Sequence, residues 1–283
     1  MKDRPMKFRT RPGFATRSPA RCAAAALLAG AALLACGGAQ AQAFDAVRLF
    51  GAAPGEDGGS VGAALISAHA YLGSNERWNR IFPLLDYQWR NGWFAGTTNG
   101  LGVDLSHDPR NQYGLRLTAD LGRKEDRSAA LTGLGDIDPR PEVGAFFNHF
   151  LSREIFLTSS LRYGSGNDRK GLIVDAGAGY STNLAPQWRI GLSLAGSYVN
   201  ANYNQSEFGI NATQAAASGY ALTTPGAGLR DLRGSAFLTY VVGPRFTMTG
   251  VLNATGLLGD AKSSPIVTQK TSANGVFGFS YGF

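Results

Sequence analysis

The stretch Val276-Phe277-Gly278-Phe279-Ser280-Tyr281-Gly282-Phe283 sets an aromatic residue at every second position, with small residues between. Successive side chains of an extended chain point to opposite faces, so a period of two predicts a strand with one aromatic face and one small, polar face. The same alternation recurs upstream. Phe246, Met248, Gly250 and Leu252 alternate with Arg245, Thr247, Thr249 and Asn253, and Trp188, Ile190, Leu192, Leu194 and Tyr198 alternate with Arg189, Ser193 and Ser197. Tyr113, Leu115, Leu117 and Ala119 do so with Gln112, Arg116, Thr118 and Asp120, and Leu172, Val174, Ala176 and Tyr180 with Asp175, Gly177 and Ser181. Many of these apolar sets begin or end on Tyr or Trp, as an aromatic girdle would.

Composition narrows what such strands can build. Glycine makes up 38 of 283 residues, roughly twice the usual share, but without a collagen period. Aromatics at 11% are too many for a disordered chain. The one long apolar run, Cys22 to Cys36, is shorter than the ~20 residues of a spanning helix, which excludes a polytopic helical membrane protein. That run follows Lys2, Arg4, Lys7, Arg9, Arg11, Arg17 and Arg21 and precedes Ala39-Gln40-Ala41-Gln42-Ala43. A basic stretch, an apolar core and small residues at alternate positions predict a secretory signal peptide over 1–43, cleaved after Ala43. Leu33-Leu34-Ala35-Cys36-Gly37 offers the alternative of lipidation at Cys36. Cleavage would leave 20 basic against 19 acidic residues, so the +7 of the whole chain belongs to the leader and gives no reason to expect nucleic acid as a partner. Both cysteines fall in the leader, which leaves 44–283 without a disulfide or a thiolate metal site.

An exported chain of strands, apolar on one face and polar on the other, meets the requirement of a transmembrane antiparallel β-barrel: apolar toward lipid, polar inward, every backbone group paired. A soluble β-sandwich or a lipocalin-like barrel in the periplasm is the competing architecture. The terminal aromatic strand, with Phe279, Tyr281 and Phe283, resembles the C-terminal signal by which bacterial outer-membrane barrels are recognised for insertion. Twelve strands are expected over 60–71, 81–89, 92–98, 100–106, 111–121, 141–151, 154–164, 170–181, 187–199, 229–242, 244–254 and 273–283. Ten is the fallback if the two short ones merge. This parity puts short turns in the periplasm and sends 122–140, 200–228 and 255–272 outward as long loops.

Three of those outer segments look familiar together: Gly122-Arg123 leading to Leu131-Thr132-Gly133-Leu134-Gly135-Asp136-Ile137, then Glu207-Phe208-Gly209-Ile210, then Leu257-Leu258-Gly259-Asp260-Ala261-Lys262-Ser263-Ser264-Pro265-Ile266-Val267. With the leader and the terminal Phe, the chain resembles the MipA/OmpV family of outer-membrane proteins, the MltA-interacting proteins. At Glu207 the family more often carries an aromatic residue. The resemblance implies a bacterial outer-membrane location and a scaffold without cofactor or enzymatic activity. It implies as partners a lytic transglycosylase and a bifunctional penicillin-binding protein, besides the surrounding outer-membrane lipid. A small-solute channel, or a surface adhesin or antigen, is the alternative. From the residues alone, Gly133, Gly135, Asp136, Leu257, Gly259, Asp260, Ser264 and Pro265 carry turn chemistry and are expected either to shape the loops or to contact a partner. All three segments are then outside the cell, whereas the implied murein enzymes work in the periplasm.

Catalytic alternatives find little support. Rim hydrolases set a His beside a Ser, Asn, Asp or Glu, and only His69, His107 and His149 are available, none in a nucleophile motif. No spacing of His and carboxylates suggests a metal site. The expected inward charges are Asp86, Asp104, Asp120, Glu142, Glu154, Asp175 and Asp231 against Arg116, Arg162, Arg189, Arg233 and Arg245. That near balance predicts ion pairs across a narrow lumen.

Overall fold

The computed structural model describes residues 57–283. The expected signal peptide and Cys36 lie outside the described residues. Twelve antiparallel strands close into a barrel in which each strand pairs with its sequence neighbours and the first pairs with the last. They are β1 (Gly58–His69), β2 (Arg77–Gln88), β3 (Trp93–Gly96), β4 (Gly100–Asp104), β5 (Asn111–Asp120), β6 (Arg140–Phe150), β7 (Ile155–Ser165), β8 (Gly171–Ala185), β9 (Trp188–Val199), β10 (Gly228–Val241), β11 (Phe246–Leu257) and β12 (Thr271–Gly282). The closing pair runs from Ser60↔Gly282 to Ser67↔Gly275. It is extended by reciprocal backbone hydrogen bonds between Gly59 and Phe283 at 3.0 and 2.9 Å. Closure removes the free edges that an open sheet would present to lipid.

The two shortest expected strands are separate, so the count is twelve. Strand β2 starts at Arg77 rather than at 81, because Arg77, Asn79 and Arg80 hide the alternation from a reading of hydrophobicity. Only Asp86, Tyr87 and Gln88 of β2 pair with β3, and Thr97 caps that short ladder through Leu85 (2.8 and 3.1 Å). Beyond it, Pro83 shares the parity of Leu85 and faces the side where pairing has stopped. A proline leaves no N–H unpaired there.

Facing follows the period of two. Leu65, Leu115, Val143, Leu192, Leu252 and Phe277 lie exposed on the outer wall, while Ser60, Arg116, Asp175, Ser197, Thr249 and Ser280 are buried inside. Trp188 packs on Tyr240 at 4.4 Å, and Tyr163 and Tyr198 stand near the opposite ends of their strands, so aromatic residues flank the apolar band on both sides. Inside, four phenylalanines lie over glycines of neighbouring strands: Phe94 over Gly102, Phe146 over Gly114, Phe156 over Gly179 and Phe237 over Gly191. A Cβ at any of these glycines would collide with the ring, so the missing side chain lets a narrow wall hold bulky aromatics in its lumen.

The two ends differ. At one, connections 89–92, 105–110, 151–154, 186–187 and 242–245 are short; at the other, 121–139, 200–227 and 258–270 are long. Short turns face the periplasm in barrels of this kind, and long loops face out. The loop after β9 holds two helices, α1 (Ala201–Phe208) and α2 (Ala212–Ser218). Asn200 caps α1, and Asn211 with Gln214 forms a capping box on α2.

Candidate functional site

The outer mouth carries a small apolar core. Ala70, Tyr71, Leu131, Leu134, Phe208, Ile210, Leu257, Ala261 and Ile266 form one buried cluster drawn from four connections around the rim. Burying a Leu, Ile or Phe contributes about 1.5–3 kcal/mol each, enough to hold loops that have no sheet of their own. Side-chain-to-backbone hydrogen bonds join the loops: Tyr71 Oη donates to Ile266 O (2.6 Å), Ser264 Oγ to Phe208 O (2.6 Å), Gln214 Nε2 to Leu134 O (2.7 Å) and Arg123 Nη1 to Glu207 O (2.7 Å).

All three motif segments meet in this cap. In the first, Glu125 accepts from Gly133 N (2.6 Å) and Gly135 N (3.1 Å), while Asp136 accepts from Glu125 N (2.8 Å) and pairs with Lys124 Nζ at 2.8 Å. These contacts hold the Asp136 carboxyl below the usual carboxylate range, the Glu125 amide first and Lys124 second. Gly133 has φ +84°, and a Cβ there would sit 2.7 Å from the Ala217 backbone at the end of α2. In the third segment Leu257 is buried, Gly259 (φ +52°) passes close to Leu229 O, and Asp260 Oδ2 accepts from Gly226 N at 2.8 Å. Pro265 is exposed. The C-terminal residues lie far from the cap on the outer wall: Phe279 stacks on Phe246 at 5.5 Å, the Tyr281 hydroxyl accepts from Arg245 Nη1 at 2.7 Å, and Phe283 packs near Tyr87.

Below the cap, charge is concentrated on one wall of the lumen. Arg162 (β7) bridges Glu142 (β6, 3.2 Å) and Asp175 (β8, 3.1 Å), and Arg233 (β10) bridges Asp175 (3.0 Å) and Asp231 (3.5 Å). Ser165 donates to Glu142 at 2.5 Å, and Ser197 to Asp175 at 2.6 Å. The network crosses five strands, and hydroxyl donors occupy carboxylate lone pairs that the arginines leave open. The facing wall holds Ala64, Leu84, Val251 and Val276, with Ile66, Phe82 and Phe237 packed against them.

Sequence reasoning missed Arg230. It occupies a bulge where the pairing of β10 with β9 skips from Leu229 to Asp231. Its guanidinium is 1% exposed, donates from Nε to Asp231 at 2.6 Å and lies 5.4 Å from the Tyr203 ring centroid in α1. The Arg-Asp pair at 230–231 breaks the alternation of an otherwise regular strand, and that was the available signal. Near it, Glu207 is half-buried, and burial together with Asp120 raises its carboxyl to about 7 against the pull of Arg123 and Arg230. Burial likewise pushes the Tyr203 hydroxyl well above the ordinary tyrosine range. Of the histidines, His69 Nε2 meets Arg77 (3.2 Å), His149 Nδ1 meets Asn111 Oδ1 (2.7 Å), and His107 is exposed on a turn. No group of three His, Cys, Asp or Glu able to hold a metal occurs among the described residues.

A closed barrel with a lipid-compatible outer band, aromatic girdles and a polar, ion-paired interior defines an integral protein of the bacterial outer membrane. A family model settles which one: residues 61–283 match the MltA-interacting protein MipA family, and the chain belongs to that family. No curated protein sequence matches the chain. Solved structures similar to it include the NanC porin (10% identity, TM-score 0.46, covering 77% of this chain and 98% of that one). The KdgM porin (9%, 0.44, 79% and 99%) and an outer-membrane channel from Pseudomonas putida F1 (12%, 0.44, 84% and 99%) are also among them.

Proposed function

We propose that this barrel is a non-enzymatic outer-membrane scaffold that holds a lytic transglycosylase at the periplasmic face, with a penicillin-binding protein as a further partner, and so takes part in cell-wall assembly. The observation that carries this reading is the match of almost the whole barrel to a family described by its interaction with such an enzyme. The capped mouth and the ion-paired lumen favour a closed body over an open pore. Leu257 and Ser264 of the motif segments are buried in the cap and Gly133 and Gly259 shape its turns, which favours docking at the opposite end. There Arg90, Arg110 and Arg153 stand exposed on three successive short turns.

The test is a pull-down from gently solubilised, cross-linked envelopes, with a barrel of similar size as control. Wild type is expected to recover a lytic transglycosylase together with a penicillin-binding protein, and an Arg110→Glu/Arg153→Glu variant to lose both while staying folded. A small-solute channel is the second reading, favoured by the one-sided charge of the lumen. Steady single-channel conductance from pure protein, with no transglycosylase recovered, would replace the scaffold with the channel.

A further inference from the structure

Two sets of wall glycines contrast. Those facing the lumen at 102, 114, 179 and 191 lie under phenyl rings, whereas a Cβ added at Gly234 or Gly256 would meet nothing within 4 Å, and one at Gly275 would make only ordinary contact with Leu252. The register puts this second group on the lipid side. Gly234 lies between Leu194 and Ala254, Ala254 pairs with Ala273, and Ala236 lies between Leu192 and Leu252, which are 54% and 69% exposed. Small residues on β10, β11 and β12 thus interrupt a band otherwise made of Leu, Val and Phe. The result is a groove of about 770 Å³ walled by Leu192 and Leu252. Such a volume falls within the range of a small-molecule site. Among the described residues no side chain fills the space at Gly234 or Gly256, and each glycine gives up strand propensity and apolar contact with lipid.

A cation closes the outer end of the groove. Arg77 Nη1 donates to Ala273 O at 2.7 Å and meets His69 Nε2 at 3.2 Å, and Nη2 donates to Ser67 Oγ at 3.1 Å. These contacts pin the exposed guanidinium across β1 and β12. They are all to neutral groups, and among the described residues its charge pairs with no carboxylate. A lipid-facing arginine is tolerated near the interface, where it can meet an anionic headgroup.

We propose that this groove is a binding site for a phosphate-bearing lipid of the outer leaflet, with one acyl chain lying over Gly234, Ala254 and Gly275 and the phosphate held against Arg77. Arginine suits that role because its fixed charge and planar donors match phosphate oxygens.

Native mass spectrometry of the purified full-length barrel tests the site. The barrel is exchanged against dipalmitoyl phosphatidylglycerol or dipalmitoyl phosphatidylcholine. Wild type is expected to keep one phosphatidylglycerol per barrel, at least about fivefold more tightly than phosphatidylcholine. Arg77→Gln should bring the first lipid down to the level of the second. Gly234→Leu fills open space, so it should fold normally by heat-modifiable mobility and release both lipids. Equal retention of the two lipids by wild type would overturn the proposal, and so would unchanged retention in folded Gly234→Leu. A dimer that Gly234→Leu converts to monomer would also overturn it, by assigning the groove to a second copy of the chain.

Discussion

The outer and periplasmic ends of this barrel are built on different principles. The outer end is a miniature soluble core, in which nine buried residues from four connections and the end of β11 pack together, joined by hydrogen bonds between loops. The periplasmic end is a ring of short turns, and charged groups such as Arg110 and Arg153 face solvent there. The most recognisable segments of the sequence sit in the first, while exposed arginines on successive short turns sit in the second. A motif that looks like a contact site can therefore be the internal carpentry of a lid.

Three substitutions grade the independence of the two ends. Arg162→Met has the largest expected effect, because it leaves Glu142 and Asp175 buried without a shared cation. Breaking a buried pair in this way costs about 3–5 kcal/mol. The network spans five strands beneath the cap, so urea unfolding should show the whole barrel weakened. A loss confined to the outer loops would mean that the wall does not depend on the network.

Phe208→Ala comes next. Removing a fully buried ring costs about 3–5 kcal/mol at its own site, but here the loss should stay in the cap. Hydrogen exchange and limited proteolysis should show α1 and the 258–270 loop opening, while the strands and the periplasmic turns keep wild-type protection. If the pull-down of murein enzymes also survives, the two ends are functionally separate. If it fails, the cap takes part in docking.

Glu207→Gln is the smallest change and depends on pH. A carboxyl raised from its ordinary value near 4.5 to about 7 stays protonated in the folded cap while the opened chain has already ionised. Its contribution is therefore fullest below pH 4.5, falls through the window from 4.5 to 7, and is absent above it. Corrected for the base-catalysed intrinsic rate, amide protection in the cap of the wild type should be lower at pH 8 than at pH 5. The amide variant should flatten that dependence and gain about 1–3 kcal/mol of local stability at pH 8. Unchanged pH dependence in the variant would mean that Glu207 does not carry the effect.

These contrasts follow the line between what could and could not be read in advance. The terminal aromatic alternation, the twelve strands and the inward position of Arg116, Arg162, Asp175 and Arg233 were legible, because side-chain direction in a strand is a local property with a period of two. The start of β2 was not, since Arg77 and Asn79 are polar at outward positions where apolar residues were expected. The bulge at Arg230 escaped for a related reason: a single extra residue shifts parity without changing composition. Asn200, Asn211 and Gln214 did hold the capping signals of α1 and α2, hidden in a stretch that lacks hydrophobic periodicity.

By itself, then, the sequence determined the barrel, its lipid-facing and lumen-facing sets and the family to which it belongs, and narrowed the strand number to twelve or ten. Closure decided the rest. It brings Leu131, Phe208 and Ile266 together from loops that are far apart along the chain, pairs Arg162 with two acids on different strands, and lines up Gly234, Ala254 and Gly275 across three strands into one groove. Each of these depends on stagger and on which strand ends meet around a ring. Those are long-range quantities, and no local pattern encodes them.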